Sequence, residues 1–379
     1  MEYKISIIIP VFNVENYIRN ALESIVRQTI GFENLEVIMV DDCSTDKSGE
    51  IMAEYASKYD NFNAIYLSEN SGAAGKPRNT GINASCSKYL MFLDPDDYYE
   101  DDACEILHNK IVEEDVDIVF GRYYYILKES RLNRKSFSPF EEDEIKVNSI
   151  NEEKRLFTTA PSLWTKIIKR SFIENNKITF LEGIPGQDAV FVLQMFLKAN
   201  GIIYLKNYFP YNYRIRDSYG DISVSHNMTN ENLMGMIKAY YMIFNILKHN
   251  KKEECFPTIL RGHLQFWTEN FILNCAKHDE KRELLENAGP LFEELKKHGA
   301  DPDKKYLLQL FNFISDKEYD RAILIAETFG NFIKKQKQLE NNLDARKKQV
   351  AELQTTWGWL KYKTENIKQR LIGYLNQTA

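Results

Sequence analysis

The run "KYLMFLDPDD" carries Asp94 and Asp96, two carboxylates two residues apart at the close of an apolar segment. Carboxylates so spaced can reach one divalent cation, directly or through water. Hard cations such as Mg2+ and Mn2+ take oxygen ligands and bridge to diphosphate oxygens. The same acids could instead cap the helix that follows Glu100. Asp41 and Asp42 close a second apolar run, "LEVIMVDD". One carboxylate there can accept a hydrogen bond from a base N–H or a ribose hydroxyl. Capping of the next helix is the other reading, and Ser44, Thr45 or Asp46 could serve that equally well. Between these acids lies "SENSGAAGKPRNTG", Ser68 to Gly81. A phosphate-cradling P-loop needs four residues between its glycines and a Ser or Thr after its lysine. Here only Ala73 and Ala74 separate Gly72 from Gly75, and Pro77 follows Lys76, so the segment is not a P-loop. Its small residues, Lys76, Arg78 and Asn70 still suit close approach to an anionic ligand. Further on, "GQDAVFVLQMFLKAN" puts Asp188 at the start of a helix, where the dipole favours an ionised carboxylate.

These residues need a frame to bring them together. "KISIIIPVF" is a continuous apolar, β-branched run, as expected of a strand buried on both faces. "VENYIRNALESIVRQ" follows with apolar residues at helical spacing. "LEVIMVDD" is a second buried strand, and "STDKSGEIMAEYASKY" opens with a capping signal and reads as a helix. "NAIYLSEN", a helix over 78–85 and "KYLMFLDPDD" complete the series. Strands alternating with helices predict an α/β fold, a mostly parallel sheet covered on both faces. Ligands bind such sheets at the carboxyl ends of the strands. That rule gathers Pro10–Asn13, Asp41–Asp42, Asn70–Arg78 and Asp94–Asp97 on one rim.

After a mixed middle section, the pattern turns helical near Thr229. The spacing predicts a catalytic-type domain over 1–228, an all-α region over 229–330 and a long C-terminal helix over 331–379. In that last part Phe332, Leu339, Leu343, Arg346, Val350, Leu353, Trp357, Leu360, Ile367, Leu371 and Tyr374 follow alternating three- and four-residue steps, interrupted by Gln336 and Thr364, a heptad seam with polar breaks. The seam predicts self-association into a homo-oligomer. "WGWLKYKTENIKQRLIGYL" interleaves aromatics with lysines and arginine, which suits peripheral contact with an anionic membrane surface.

The 379 residues carry a formal net charge of −6, so charge alone gives no attraction to nucleic acid. Five cysteines, without a CxxC spacing, argue against a disulfide framework or structural zinc and for reduced thiols in the cytoplasm. The N-terminal residues lead straight into a strand, with no signal-peptide pattern. No apolar run approaches the ~20 residues a membrane span needs.

Taken in order, "SIIIPVFN", "VIMVDDCSTD", "NSGAAGKPRNTG" and "LMFLDPDD" resemble an inverting family 2 glycosyltransferase with a GT-A fold, over residues 4–225. "NSGAAGKPRN" followed by "GQDAVF" is similar to the wall-teichoic-acid enzymes that glycosylate poly-ribitol phosphate from UDP-N-acetylglucosamine. The resemblance implies that Pro10, Phe12 and Asp41 hold uracil, and that Asn70, Lys76 and Arg78 line the sugar-nucleotide pocket. It gives Asp94 to ribose or sugar hydroxyls, Asp96 to Mg2+ or Mn2+, and Asp188 to the catalytic base. It implies a UDP-sugar donor, a glycopolymer acceptor and work at the inner face of the cell membrane.

Two departures stand out. Gln187 replaces the glutamate that relatives often carry beside the base, which removes a negative charge and leaves acceptor positioning open. Where relatives complete the metal site with histidine, this chain has Asp221, with His226 as the rival. Trp164 is a weak acceptor-side candidate with Gln187. Arg261, His263 and Trp267 share a helical face. The tyrosines of "GRYYYIL" and "YFPYNYRIR" read mostly as packing residues. Two other functions compete. A sugar-phosphate nucleotidyltransferase would carry a glycine-rich loop after the first strand, where this chain has "PVFNVENY". A non-catalytic glycan-binding scaffold would not need Asp96 and Asp188.

Overall fold

The computed structural model describes residues 3–127, 130–159, 162–216, 229–274, 280–302 and 307–333, with scattered helical positions beyond. Its strands are β1 (Ile5–Val11), β2 (Leu35–Asp41), β3 (Phe62–Tyr66), β4 (Tyr89–Phe92), β5 (Tyr98–Tyr99), β6 (Ile118–Phe120), β7 (Tyr123–Leu127), β8 (Ser130–Lys135), β9 (Glu144–Val147), β10 (Lys166–Lys169), β11 (Ile202–Leu205) and β12 (Tyr211–Ile215). Interleaved with them are α1 (Ile18–Val26), α2 (Ser48–Lys58), α3 (Gly75–Ala84), α4 (Ala103–Glu114), α5 (Arg170–Asn175) and α6 (Gln187–Lys198). Then come α7 (Asn230–His249), α8 (Phe256–Asn274), α9 (Lys281–Lys297), α10 (Leu308–Ser315) and α11 over 319–333.

The main sheet has the order β3-β2-β1-β4-β10-β6-β11-β9. Its first four strands are parallel, as the alternating pattern predicts. Every residue of β1 and β2 is buried, which is what continuous apolar runs require. The remainder adds two reversed strands to this mostly parallel sheet, while β11 runs parallel to β6. β10 runs antiparallel to both β4 and β6, and β9 antiparallel to β11, so the whole sheet is mixed. Parallel pairing needs a crossover helix. Between β9 and β10 the described residues hold only a short 3-10 helix, Lys154–Thr158. A second sheet, β5-β12-β7-β8, stands beside the rim. "VDIVFGRYYYIL", a largely apolar and aromatic run, is divided between the two sheets. The break falls at Gly121, where a Cβ would lie 2.7 Å from Pro210 and from the Tyr208 carbonyl.

One face of the main sheet packs on α1, α2 and α4, with Ile5, Ile7 and Ile9 inward. The other, with Ile8, packs on α3, α5 and α6. Helix α6 is held on two sides. Phe191, Val192, Met195 and Phe196 face the sheet, while Ala189, Val190 and Leu193 belong to the core of the helical region. Trp267 lies wholly within that core, with its indole N–H donated to the Leu233 carbonyl at 3.0 Å. It is therefore not part of an exposed binding face. Among the described residues no helix is long and apolar enough to cross a membrane. Most of the heptad seam lies outside the described residues. Of its positions, Phe332, Leu339 and Leu343 are helical and exposed.

One buried cation stands apart from the rim carboxylates. The Lys166 side chain is fully buried, donates to the Ser162 carbonyl at 2.8 Å and lies 4.3 Å over the Phe120 ring. Burial lowers its pKa to about 7. Between that value and the ordinary lysine range, the unfolded chain holds a proton that the folded chain lacks. Stability therefore rises with pH over this window, by at most about 1.4 kcal/mol per unit. Lys166→Met is expected to abolish the rise and to be no less stable near neutrality. Urea midpoints from pH 6.5 to 9.5 test this, and identical pH slopes for the two proteins would contradict it.

Candidate active site

The rim is built by loops that bind one another. The Asn13 N–H donates to Ser44 Oγ at 3.1 Å, and Asn13 Oδ1 accepts from the Thr45 N–H at 2.8 Å. The Val14 N–H donates to Ser48 Oγ at 2.8 Å. Asp46 takes the Ser48 N–H at the start of α2 and so serves the helix end. Asp41 and Asp42 are thereby released from capping. Asp41 accepts from the Ser44 N–H at 3.1 Å. Asp42 accepts from both the N–H and hydroxyl of Ser71, at 2.9 and 2.8 Å, and fixes the next loop. Pro10 is buried in β1, and Phe12, just beyond it, is 45% exposed at the rim.

The glycine loop has a different purpose from the one its composition suggests. Asn70 Oδ1 accepts from the Gly72 N–H, a local turn. A Cβ on Gly75 would fall 1.9 Å from the Leu181 carbonyl oxygen. Gly75 thus lets the start of α3 press against the chain leading into α6, rather than leaving room for a ligand. The helix starts at this glycine, three residues earlier than predicted, with Pro77 in its first turn where a missing N–H costs nothing. Lys76 points outward, 3.6 Å from the exposed Glu69 carboxylate.

Arg78 joins the parts. Its side chain is 3% exposed. Nη2 donates to Asp94 Oδ1 at 2.7 Å, and Nη1 donates to Gln187 Oε1 at 3.0 Å and to Asp188 Oδ1. The guanidinium also lies 5.5 Å from the Phe180 ring centroid. One buried fork therefore spans the strand-end acid and the helix-borne acid. Gly186, with φ +83°, makes the turn that delivers Gln187 and Asp188 to it. Asp188 keeps a third of its side chain open to solvent. Desolvation pushes its carboxyl above the ordinary carboxylate range, and the Arg78 charge pulls it part of the way back.

The Asp94–Asp97 turn has its own set of partners. Tyr211 Oη accepts from the Asp94 N–H at 3.2 Å and donates to Asp97 Oδ2 at 2.8 Å. The Arg214 N–H donates to Asp97 Oδ1 at 2.7 Å, and its Nε to the Asp96 carbonyl at 3.0 Å. Arg216 donates through Nε to Asp96 Oδ2 at 2.8 Å. Burial and the neighbouring Asp96 and Asp94 charges push the Asp97 carboxyl well up. Asp96 offers the oxygen chemistry that Mg2+ or Mn2+ favours, and such ions commonly use one or two carboxylates plus substrate phosphates. Among the described residues no group of three or more Asp, Glu, His or Cys converges. A cation at Asp96 would share that carboxylate with Arg216. Asp221 and His226 lie outside the described residues.

The structure thus brings Arg78, Asp94, Gln187 and Asp188 into one network, with Asp96 two residues from Asp94. Trp164 is 7% exposed, stacked on Tyr211 at 4.1 Å with Tyr123 edge-on at 4.6 Å. It supports Tyr211 rather than offering an open ring. Sequence reasoning missed Tyr211, Arg214 and Arg216. The alternation of β12 puts both arginines on one face of a strand reaching the rim, a signal available in "YNYRIR".

A parallel half-sheet with strand-end aspartates, facing a helix-borne carboxylate, defines a GT-A-like α/β domain with an acidic cleft. The chain belongs to glycosyl transferase family 2, whose model matches residues 6–175. It is 31% identical over 278 residues to the cholesterol galactosyltransferase of Borreliella burgdorferi, covering 70% of this chain and 74% of that protein. It is 33% identical over 282 residues to the poly(ribitol-phosphate) beta-glucosyltransferase of Bacillus spizizenii, covering 74% of this chain but 43% of that protein. The solved structure of Staphylococcus aureus TarS 1–349 in complex with UDP-GlcNAc has the same fold. Its TM-score is 0.69 at 24% identity, over 86% of this chain and 91% of that one.

Lysine in place of Arg78 keeps the charge, but its compact ammonium lacks the planar fork that reaches Asp94, Gln187 and Asp188 together. Arg78→Lys is expected to raise the Asp188 pKa, because a weakened cation contact favours the ionised form less. Carboxyl 13C shifts followed through a pH titration test this. An unchanged Asp188 midpoint would show that Arg78 does not set its charge.

Proposed function

We propose that this protein transfers a sugar from a UDP-sugar to a hydroxyl of a cell-surface glycopolymer, with inversion at the anomeric carbon. The observation that carries the reading is the Arg78 fork, which holds Asp188 within one guanidinium of Asp94. The names of two similar proteins add support, since they act on poly(ribitol-phosphate) with a glucosyl or N-acetylglucosaminyl group.

In this reading the exposed Phe12 ring meets the uracil face, and the Asp41 edge accepts from the base. Lys76, half-buried and 3.6 Å from the exposed Glu69, is available to the diphosphate. Asp94, already oriented by Arg78 and Tyr211, accepts from ribose or sugar hydroxyls. Asp96, with Asp221 or His226, would hold Mg2+ or Mn2+, which when bound would neutralise charge on the leaving diphosphate. Asp188 takes the proton of the acceptor hydroxyl as its oxygen attacks from the face opposite the diphosphate. Desolvation raises its affinity for the proton, and the Arg78 charge favours its ionised form. Gln187 engages Arg78 without adding a second negative charge beside the base.

A UDP-sugar donor places the work on the cytoplasmic side of the membrane. We assign donor binding and chemistry to 1–228, a helical domain to 229–330, and self-association to 331–379. The exposed Phe332, Leu339 and Leu343 support the last assignment. Membrane contact by the basic aromatic tail belongs to the same proposal.

Asp188→Asn is expected to lower transfer to poly(ribitol phosphate) by ~10²–10⁴-fold, the usual value of a positioned base. UDP affinity should stay within a few-fold of the parent protein. UDP release and calorimetric UDP binding measure the two. Full transfer activity in the variant would remove Asp188 from the reaction.

A further inference from the structure

Three carboxylates crowd the turn after β4, and each has its own partner. Asp94 takes Arg78 Nη2 at 2.7 Å. Asp97 takes the Tyr211 hydroxyl at 2.8 Å and the Arg214 N–H at 2.7 Å. Asp96 takes Arg216, whose Nε and Nη2 both lie 2.8 Å from one oxygen, Oδ2. This pair is largely withdrawn from water, with 13% of the Arg216 side chain and 18% of the Asp96 side chain exposed. The guanidinium also lies 4.9 Å from the Tyr17 ring centroid, a cation–π contact.

The turn does not need the Arg216 pair for its shape. Tyr211 accepts from the Asp94 N–H. Arg214 reaches the Asp97 carboxylate through its N–H and the Asp96 carbonyl through Nε, and is tied to Asn20 Oδ1 at 3.1 Å. Arg216 holds no main-chain group of the turn in this way. It holds the carboxylate itself, the group given above to Mg2+ or Mn2+. It directly follows β12, whose ladder ends with Ile215 paired to Leu127. A carboxylate oxygen that takes two N–H donors from a guanidinium cannot also bind a divalent cation without bringing like charges together. Arg216 must therefore leave Oδ2 for a cation to be bound there. Its planar fork has a second partner to go to, because guanidinium pairs bidentately with phosphate as well as with carboxylate.

We propose that Arg216 couples donor and metal binding by exchange. It neutralises Asp96 in the free protein and passes to the diphosphate of the UDP-sugar, which leaves Asp96 to the divalent cation. The inference rests on the transferase reading and on the metal role given there to Asp96. Each ligand then favours the other through one side chain, and the coupling is reciprocal. Without the donor, Arg216 weakens metal binding.

Arg216→Gln and Arg216→Lys, made in the full chain, test the exchange with Mn2+ and UDP as separate and joint probes. Electron paramagnetic resonance of free Mn2+ follows the metal, and calorimetry follows UDP. Arg216→Gln is expected to bind Mn2+ alone about fivefold tighter than the parent protein, since the competing ion pair is gone. With Mn2+ present, it is expected to bind UDP about tenfold more weakly, in line with the loss of one charge-assisted hydrogen bond. These opposite signs separate exchange from a structural role. Arg216→Lys keeps the charge but not the fork, so the same signs are expected at smaller size, and it decides the matter if the Gln variant fails to fold. Weaker binding of both ligands would overturn the exchange by making Arg216 a support of the turn. Unchanged binding of both would overturn it by making the contact an idle ion pair. A parent protein that binds UDP but takes up no Mn2+ beside it would overturn the metal role of Asp96, and the exchange with it. A parent protein that binds no UDP would instead overturn the transferase reading.

Discussion

A buried guanidinium holding two carboxylates is the constraint on which the cleft depends. Arg78 could not be taken out of water alone, because an unpaired buried charge is strongly destabilising. Its contacts with Asp94, Asp188 and Gln187 make burial tolerable. The reverse also holds. Asp94 ends a strand and Asp188 begins a helix far along the chain, and without the arginine their charges would repel. The ion pairs therefore fix the separation of strand end and helix start, which is the geometry any two-sided chemistry in the cleft requires.

The surrounding fold keeps that geometry stiff. Gly75 brings the start of α3 against the Leu181 backbone, and Gly186 turns the chain into α6. Helix α6 then lies between the sheet and the helical region, with apolar side chains committed to both. The helical region therefore buttresses the helix that carries Asp188. On the other side of the cleft, Tyr211 and the two arginines of β12 hold the Asp94–Asp97 turn. The second sheet thus orients the acidic turn.

Much of this was legible in the residues. The apolar runs of β1, β2 and β4 gave strands, and the aspartates at their ends predicted a rim. The pairing of Asp94 with Asp188 through Arg78 was not legible, because contacts across so much sequence leave no local spacing. The antiparallel entry of β10 was hidden for a similar reason, since a four-residue strand, "KIIK", carries no direction. The loop glycines were misread. Composition shows that a backbone comes close to something, but not whether the neighbour is a ligand or, as at Gly75, another stretch of chain. Trp164 was misread because a lone tryptophan gives no sign of whether its faces are covered.

The most direct test is a crystal structure of the full chain with UDP-N-acetylglucosamine and Mn2+. The account predicts that the Asp188 carboxylate faces the anomeric carbon from the side opposite the diphosphate, with space for one hydroxyl between them and Arg78 still bridging to Asp94. A carboxylate on the diphosphate side of the sugar, or turned out of the cleft with the bridge broken, would contradict it.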